Sequence, residues 1–136
     1  MTHRIIQKTV VINAPVEKVW RVFTDPLVTR QMGGEYVTSW KAGDPIGWKG
    51  SNGSIRTKGV IIQIEDKQLI KHDLFDLAKP ENVLSLITYR FRNREEQTEL
   101  HAREDIHYEM SDEQFEDTSE GWDFALASVK ALAEKI

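Results

Sequence analysis

Ile12-Asn13-Ala14-Pro15-Val16-Glu17-Lys18-Val19-Trp20 is the stretch on which the fold turns. Proline suits the first turn of a helix, where its missing N–H would have had no partner. After Pro15, Val16, Val19, Trp20 and Phe23 recur at i, i+3, i+4 and i+7, one face of a short amphipathic helix. Upstream, Ile5 to Ile12 carries Thr9, Val10, Val11 and Ile12 with no helix signal, and reads as a strand. The stretch is therefore a strand-to-helix switch. Thr24-Asp25-Pro26 closes the helix, a second short helical turn runs from Leu27 to Met32, and Gly33-Gly34 breaks it.

From Glu35 to Tyr108 the periodicity changes to two. Tyr36, Thr38 and Trp40 share one strand face, and Ile46 and Trp48 share another, with Asn52-Gly53 as a hairpin signal beyond it. Ile55 to Glu65 is expected to turn Val60, Ile62 and Ile64 to one side, with Gly59 a bulge or a point of close approach. Leu69 to Asp76, Val83 to Arg92 and Thr98 to Tyr108 complete an antiparallel meander joined by short turns.

The end of the chain is helical. Ser111 and Gln114 have capping-box spacing, and Phe115, Trp122, Val129 and Ile136 repeat every seven residues, with Ala125, Leu126, Leu132 and Ala133 in the same stripe. Gly121 inside it marks either a close approach of backbone or ligand, or a kink with the helix starting near Thr118 or Ser119. A sheet with one apolar face needs a cover, and this helix is the only element large enough. The prediction is an α+β fold. A curled antiparallel sheet of six to seven strands wraps a long C-terminal helix, with two short helices between strands 1 and 2.

Composition narrows the function. The chain has 136 residues, 40% of them apolar, which fits one domain over 1–136 with a core that needs no staples. It has no cysteine, so disulfides, thiolate nucleophiles and zinc-thiolate sites are excluded. Eighteen basic against 22 acidic residues leave a net charge of −4, which argues against nucleic acid. The N-terminus is too polar for a secretory h-region and no apolar run approaches a membrane span, so a cytoplasmic location is expected. Four tryptophans in a chain of moderate hydropathy are the remaining peculiarity.

Ile12 through Trp20 resembles the opening motif of the START-like helix-grip superfamily (SRPBCC). Thr24-Asp25-Pro26, Gly33-Gly34, Gly59-Val60-Ile61-Ile62-Gln63-Ile64 and Gly121-Trp122 are similar to its branch related to the C-terminal domain of the Hsp90 ATPase activator. Many relatives carry tryptophan at the close of the second short helix, where this chain has Arg30-Gln31-Met32. The resemblance implies a cavity between sheet and long helix that holds an apolar small molecule or lipid. It also implies cyclases, dehydratases and hydrolases on the same scaffold, and a chaperone-accessory role in stress response with an Hsp90-type partner. The activator's separate N-terminal domain has no counterpart in these residues, so ATPase stimulation is not expected. Fold alone selects none of these functions.

If apolar strand faces point at the helix, three polar residues fall among them. His72 alternates with Ile70 and Leu74, Tyr89 with Ile87 and Phe91, and Glu104 with Ala102 and Ile106. Tyr108 ends the same face as Glu104. A polar group in an apolar wall must find a partner or shift toward its neutral form, which is how ligand-orienting groups arise. Arg56 is expected to point inward as well, neutralising Glu104 or gripping an anion. Trp40, Trp48 and Trp122 face the same space, so the candidate ligand-binding set is Trp40, Trp48, Arg56, His72, Tyr89, Glu104 and Trp122. Each has an ordinary structural role open to it: core histidines bond a neighbour, strand carboxylates pair with arginines, and aromatic pairs stabilise sheets.

His101, Arg103, Asp105 and His107 alternate on the opposite strand face, but positions six apart on a strand lie ~20 Å from each other, and Arg103 between them opposes a cation. No metal or cofactor is expected. Nor is there a nucleophile elbow, a glycine-rich phosphate loop or a paired-carboxylate motif, so no catalytic residue is assigned. A non-catalytic binder of an apolar or aromatic small molecule is the leading expectation, with an enzyme on the same cavity or an interaction module as alternatives. The sheet edges leave a homodimer open.

Overall fold

The computed structural model describes residues 4–136. Strand β1 (Arg4–Ile12) leads into helices α1 (Val16–Thr24) and α2 (Pro26–Thr29) and a single 3₁₀ turn, Arg30–Met32. Strands β2 (Gly34–Thr38), β3 (Pro45–Gly50), β4 (Ile55–Glu65), β5 (Leu69–Phe75), β6 (Val83–Arg94) and β7 (Gln97–Ile106) follow, and α3 (Asp112–Lys135) closes the chain. All seven strands form one antiparallel sheet in the order β1-β7-β6-β5-β4-β3-β2. The sheet curls around α3, giving the α+β helix grip that the sequence pattern implies.

Local chemistry sets the joints. Pro15 lies at the N-cap of α1 with extended ψ of 156°, one position before the first helical residue. Asp25 accepts a hydrogen bond from the Leu27 N–H to cap α2, and Pro26 occupies its first turn. Thr98 on β7 donates its hydroxyl to the Ala14 carbonyl at 2.9 Å, pinning the strand-to-helix switch to the strand that neighbours β1. Helix α3 begins at the reciprocal capping box of Ser111 and Gln114 and not near Thr118. Its other end is tied to the switch, where Lys130 donates to the Val11 carbonyl and the Asn13 N–H donates to Glu134.

The core lies at this end. Ile12, Val19, Val22, Phe23, Leu100 and Ala102 pack against Leu126, Val129, Leu132 and Ala133 of α3. Trp20 sits at its margin, edge-on to Phe91 with ring centroids 5.1 Å apart.

Two register shifts change which residues face inward. Between β3 and β4, Trp48 opposes Thr57 and Lys49 opposes Ile55, so Arg56 is an extra residue without a counterpart. Between β4 and β5, Ile61 opposes His72 and Gln63 opposes Lys71, so Ile62 is another. Each bulge inverts the alternation beyond it. Ile61 is therefore fully buried while Ile62 is 47% exposed, reversing the expected face. Gly59 is not the bulge but the close approach: a Cβ there would stand 1.9 Å from the Asp73 carbonyl oxygen.

Candidate functional site

The N-terminal half of α3 faces the inner side of the sheet and is tied to it at Arg4, Lys8 and Glu104. Between them lies a cavity of about 390 Å³ lined by Tyr36, Trp48, Thr57, His72, Leu74, Ile87, Tyr89, Glu104, Thr118, Gly121, Trp122 and Ala125. A second lobe of about 290 Å³ shares Tyr36, Trp48, Tyr89, Trp122 and Ala125 and extends past Phe23 and Met32 to Phe124 and Val129. The four shared rings form the waist between the lobes. Both fall within or close to the size range of small-molecule sites.

Sheet register assembles that waist. Tyr36 and Trp48 are direct partners on β2 and β3, with ring centroids 5.0 Å apart in edge-to-face contact. Gly34 lets the Trp48 ring lie down, since a Cβ there would come within 2.6 Å of it. Tyr89 projects from β6 between Phe23, at 4.9 Å, and Trp122, at 5.7 Å. Burial raises the pKa of both tyrosines, that of Tyr89 well above the usual phenol range, and their hydroxyls interact with each other. They remain neutral donors at any physiological pH.

Two polar groups break the apolar wall. His72 is 4% exposed, and its Nδ1 lies 2.9 Å from the Asp73 carbonyl oxygen. A carbonyl can only accept, so Nδ1 carries the hydrogen and Nε2 is the acceptor nitrogen. Desolvation lowers the His72 pKa despite the opposing pull of that hydrogen bond and of Asp73 and Glu104, which keeps the ring neutral. Glu104 on β7 accepts a 2.8 Å hydrogen bond from the Trp122 indole N–H of α3. This bond joins sheet to helix across the cavity and fixes the orientation of the indole.

Of the seven candidates from the sequence, the structure brings Trp48, His72, Tyr89, Glu104 and Trp122 together around the cavity. Trp40 and Arg56 are not among its lining residues. β2 ends at Thr38, and Trp40 then adopts a left-handed φ of 59°, which lays its ring edge-on to Tyr36 at 5.5 Å. Arg56 is the extra residue of its bulge and is exposed, so it neither faces Glu104 nor offers a cation to the cavity. Thr57 takes the inward position instead. Tyr108 lies beyond the end of β7 and is 41% exposed, outside the cavity-facing set in which its parity placed it. Thr118 and Ala125 also line the space; they share the helix stripe with Trp122, and the helical period marks them as neighbours without marking them as lining. No added Cβ at Gly121 would meet any atom within 4 Å, so the helix presents bare backbone to the cavity there.

The fold recurs in proteins of known structure. The solution structure of ChR145 from Cytophaga hutchinsonii superposes with a TM-score of 0.78 at 26% identity, covering 99% of this chain and 97% of that one. Protein MLL2253 from Mesorhizobium loti gives 0.80 at 16% identity, covering 97% and 98%. The Aha1 dimer from Colwellia psychrerythraea gives 0.76 at 17% identity, covering 98% and 97%. A family model described as Activator of Hsp90 ATPase homolog 1-like protein matches residues 13–134. No curated protein is similar enough in sequence to count as a match. No helix among the described residues is long and apolar enough to cross a membrane.

Proposed function

The chain belongs to the family of Activator of Hsp90 ATPase homolog 1-like proteins, and from that premise we propose that it is a single-domain cytoplasmic binding protein for an apolar, ring-containing small molecule. The observation that supports this reading is the two-lobed cavity whose waist is four aromatic rings and whose wall holds two oriented acceptors, His72 Nε2 and the Glu104 carboxylate. Flat apolar surface suits stacking against Trp48 and Trp122, and a ligand hydroxyl near His72 would find an acceptor in place of water. The test is native mass spectrometry of the protein as purified, followed by NMR titration with one- and two-ring phenols. A co-purified apolar compound, or saturable shifts at Gly121 and the Trp122 indole N–H, is expected. An empty protein whose cavity signals ignore the whole panel overturns the proposal.

His72 favours a second reading. A neutral imidazole with its acceptor nitrogen on an apolar cavity has the properties of a general base, so an enzyme of the cyclase or dehydratase kind could use the same wall. Given a turned-over substrate, His72→Gln would abolish turnover while retaining binding; unchanged rates would remove this reading. Family membership also raises an Hsp90-type chaperone as partner, and the ATPase rate of such a chaperone with and without this chain decides that directly.

A further inference from the structure

The other face of the sheet carries a second cavity that the ligand-binding reading does not use. A groove of about 530 Å³ crosses the outer side of β1, β7, β6 and β5, lined by Gln7, Lys71, Leu86, Thr88, Arg90, His101, Arg103, Asp105 and His107. Its lining is mainly polar, whereas that of the inner cavity is apolar. In a chain of net charge −4, this surface collects Lys71, Arg90 and Arg103 against Asp105 alone.

Strand register centres these cations on one residue. Lys71, Thr88, Arg103 and Gln7 are consecutive partners across four strands, and Arg90 follows Thr88 by two on the same strand face. Opposed Cβ atoms lie ~5 Å apart, and positions i and i+2 on a strand lie ~7 Å apart, so all three long side chains reach the space above Thr88. Thr88 is 7% exposed, lines the groove, and its hydroxyl has no hydrogen-bond partner among the described residues. No buried side-chain oxygen among the described residues lacks a partner, so this unpaired hydroxyl is open to the groove and free to donate to a group bound there.

The cations differ in how they are held. Arg103 donates Nε and Nη2 to the Asp105 carboxylate at 3.0 and 2.9 Å, which fixes the guanidinium plane and leaves Nη1 to donate elsewhere. Arg103 in turn holds the Asp105 pKa below its usual range, with His107 and Lys71 adding to the effect, so this carboxylate stays ionised. Lys71 and Arg90 form no ion pair among the described residues. His101 is linked through Nδ1 to the Thr9 hydroxyl at 2.8 Å.

We propose that this groove binds a small phosphate monoester, its dianionic phosphoryl group seated over Thr88 between Lys71, Arg90 and Arg103. Three cations less one carboxylate leave an excess positive charge suited to a dianion, and the hydroxyl supplies a neutral donor at the centre. The groove has room beyond the phosphoryl group for a small organic part against Leu86. A small ligand fits better than a nucleic acid, because the rest of an acidic surface would repel an extended polyanion.

The test is an NMR titration of the full chain at low ionic strength with phenyl phosphate, with inorganic phosphate and equivalent chloride as separate arms. Saturable shifts centred on Thr88, Arg90 and Arg103, stronger with the ester than with chloride, are the expected result. Thr88→Val keeps the β-branched shape and Arg90→Gln keeps much of the stem. Each should weaken the response about tenfold, the worth of one charge-assisted hydrogen bond, with the inner cavity's signals unmoved. Shifts that match chloride, spread over the surface, or survive both substitutions would overturn the assignment. So would binding to phosphatidic acid vesicles with no response to the soluble ester, which would make the surface a lipid-headgroup contact.

Discussion

The two halves of α3 face the same sheet and do opposite things. Toward its C-terminus, Leu126, Val129, Leu132 and Ala133 are buried against Ile12, Val19 and Leu100. Toward its N-terminus, Gly121 and Ala125 point at the sheet and yet are exposed, because the space between is open. One continuous helix thus carries a closed core at one end and a cavity at the other. The difference lies in side-chain volume on one stripe: leucine and valine fill the gap, while glycine and alanine leave it. Stability and binding are accordingly separable by position along a single element.

The packed half should respond most strongly to truncation. Leu132→Ala removes buried methyl groups where surrounding side chains are already close-packed, and is expected to cost about 2–5 kcal/mol of unfolding free energy in urea titration. Ligand response per folded molecule should be unchanged. A loss under 1 kcal/mol would mean the two halves are not as different as their burial indicates. Next in size is the bond that spans the open half. Trp122→Phe keeps a ring but leaves the half-buried Glu104 carboxylate without its indole donor, for about 1–2 kcal/mol. Glu104→Gln keeps an acceptor oxygen and should cost less. Equal losses for the two would show that the bond is not what holds the indole.

Most of this contrast was readable from residue order. The period-two face that put His72, Tyr89 and Glu104 among apolar neighbours holds through β5, β6 and β7, which run without a bulge at those positions. It fails in β4, where the unopposed Arg56 and Ile62 invert the parity. Nothing in the run Ile55-Arg56-Thr57-Lys58 signals an extra residue, because a bulge is set by how the neighbouring strand pairs and not by local composition. Trp40 departs from its strand parity for a similar reason: the strand ends two residues earlier, and the left-handed turn that carries the ring onto Tyr36 uses a residue type that rarely adopts it. The outer groove shows a different limit. The alternation on β7 was visible, but the meeting of Lys71, Thr88 and Arg103 needs the register of three strands.

A pH experiment sharpens the comparison further. Burial lowers the His72 pKa below its ordinary value of 6.5, so between that value and the lower folded one the unfolded chain binds more protons than the native chain. Stability then rises with pH across this window, and falls on acidification from about pH 7.5 to 5.5. In His72→Gln that part of the slope should vanish, since no imidazole remains to charge at this position. Melting curves at the two pH values measure it. An identical slope in both proteins would assign the acid sensitivity to other groups.

The smallest expected effect has the opposite sign. Gly121 lies inside α3, where glycine is less favourable than alanine by about 0.8–1.0 kcal/mol, and an added methyl meets nothing within 4 Å. Gly121→Ala should therefore raise the melting temperature slightly. The same methyl projects into the cavity beside Trp122 and removes room that a ligand ring would use. If the open half is kept open for binding, the variant becomes more stable and binds more weakly, with saturation by the phenol panel displaced to higher concentration. A variant that is more stable and binds equally well would mean that the glycine leaves the cavity wall unaltered, and that the unfilled half of α3 is only loose packing. Because the two readouts are required to move in opposite directions, a general loss of structure cannot imitate the result.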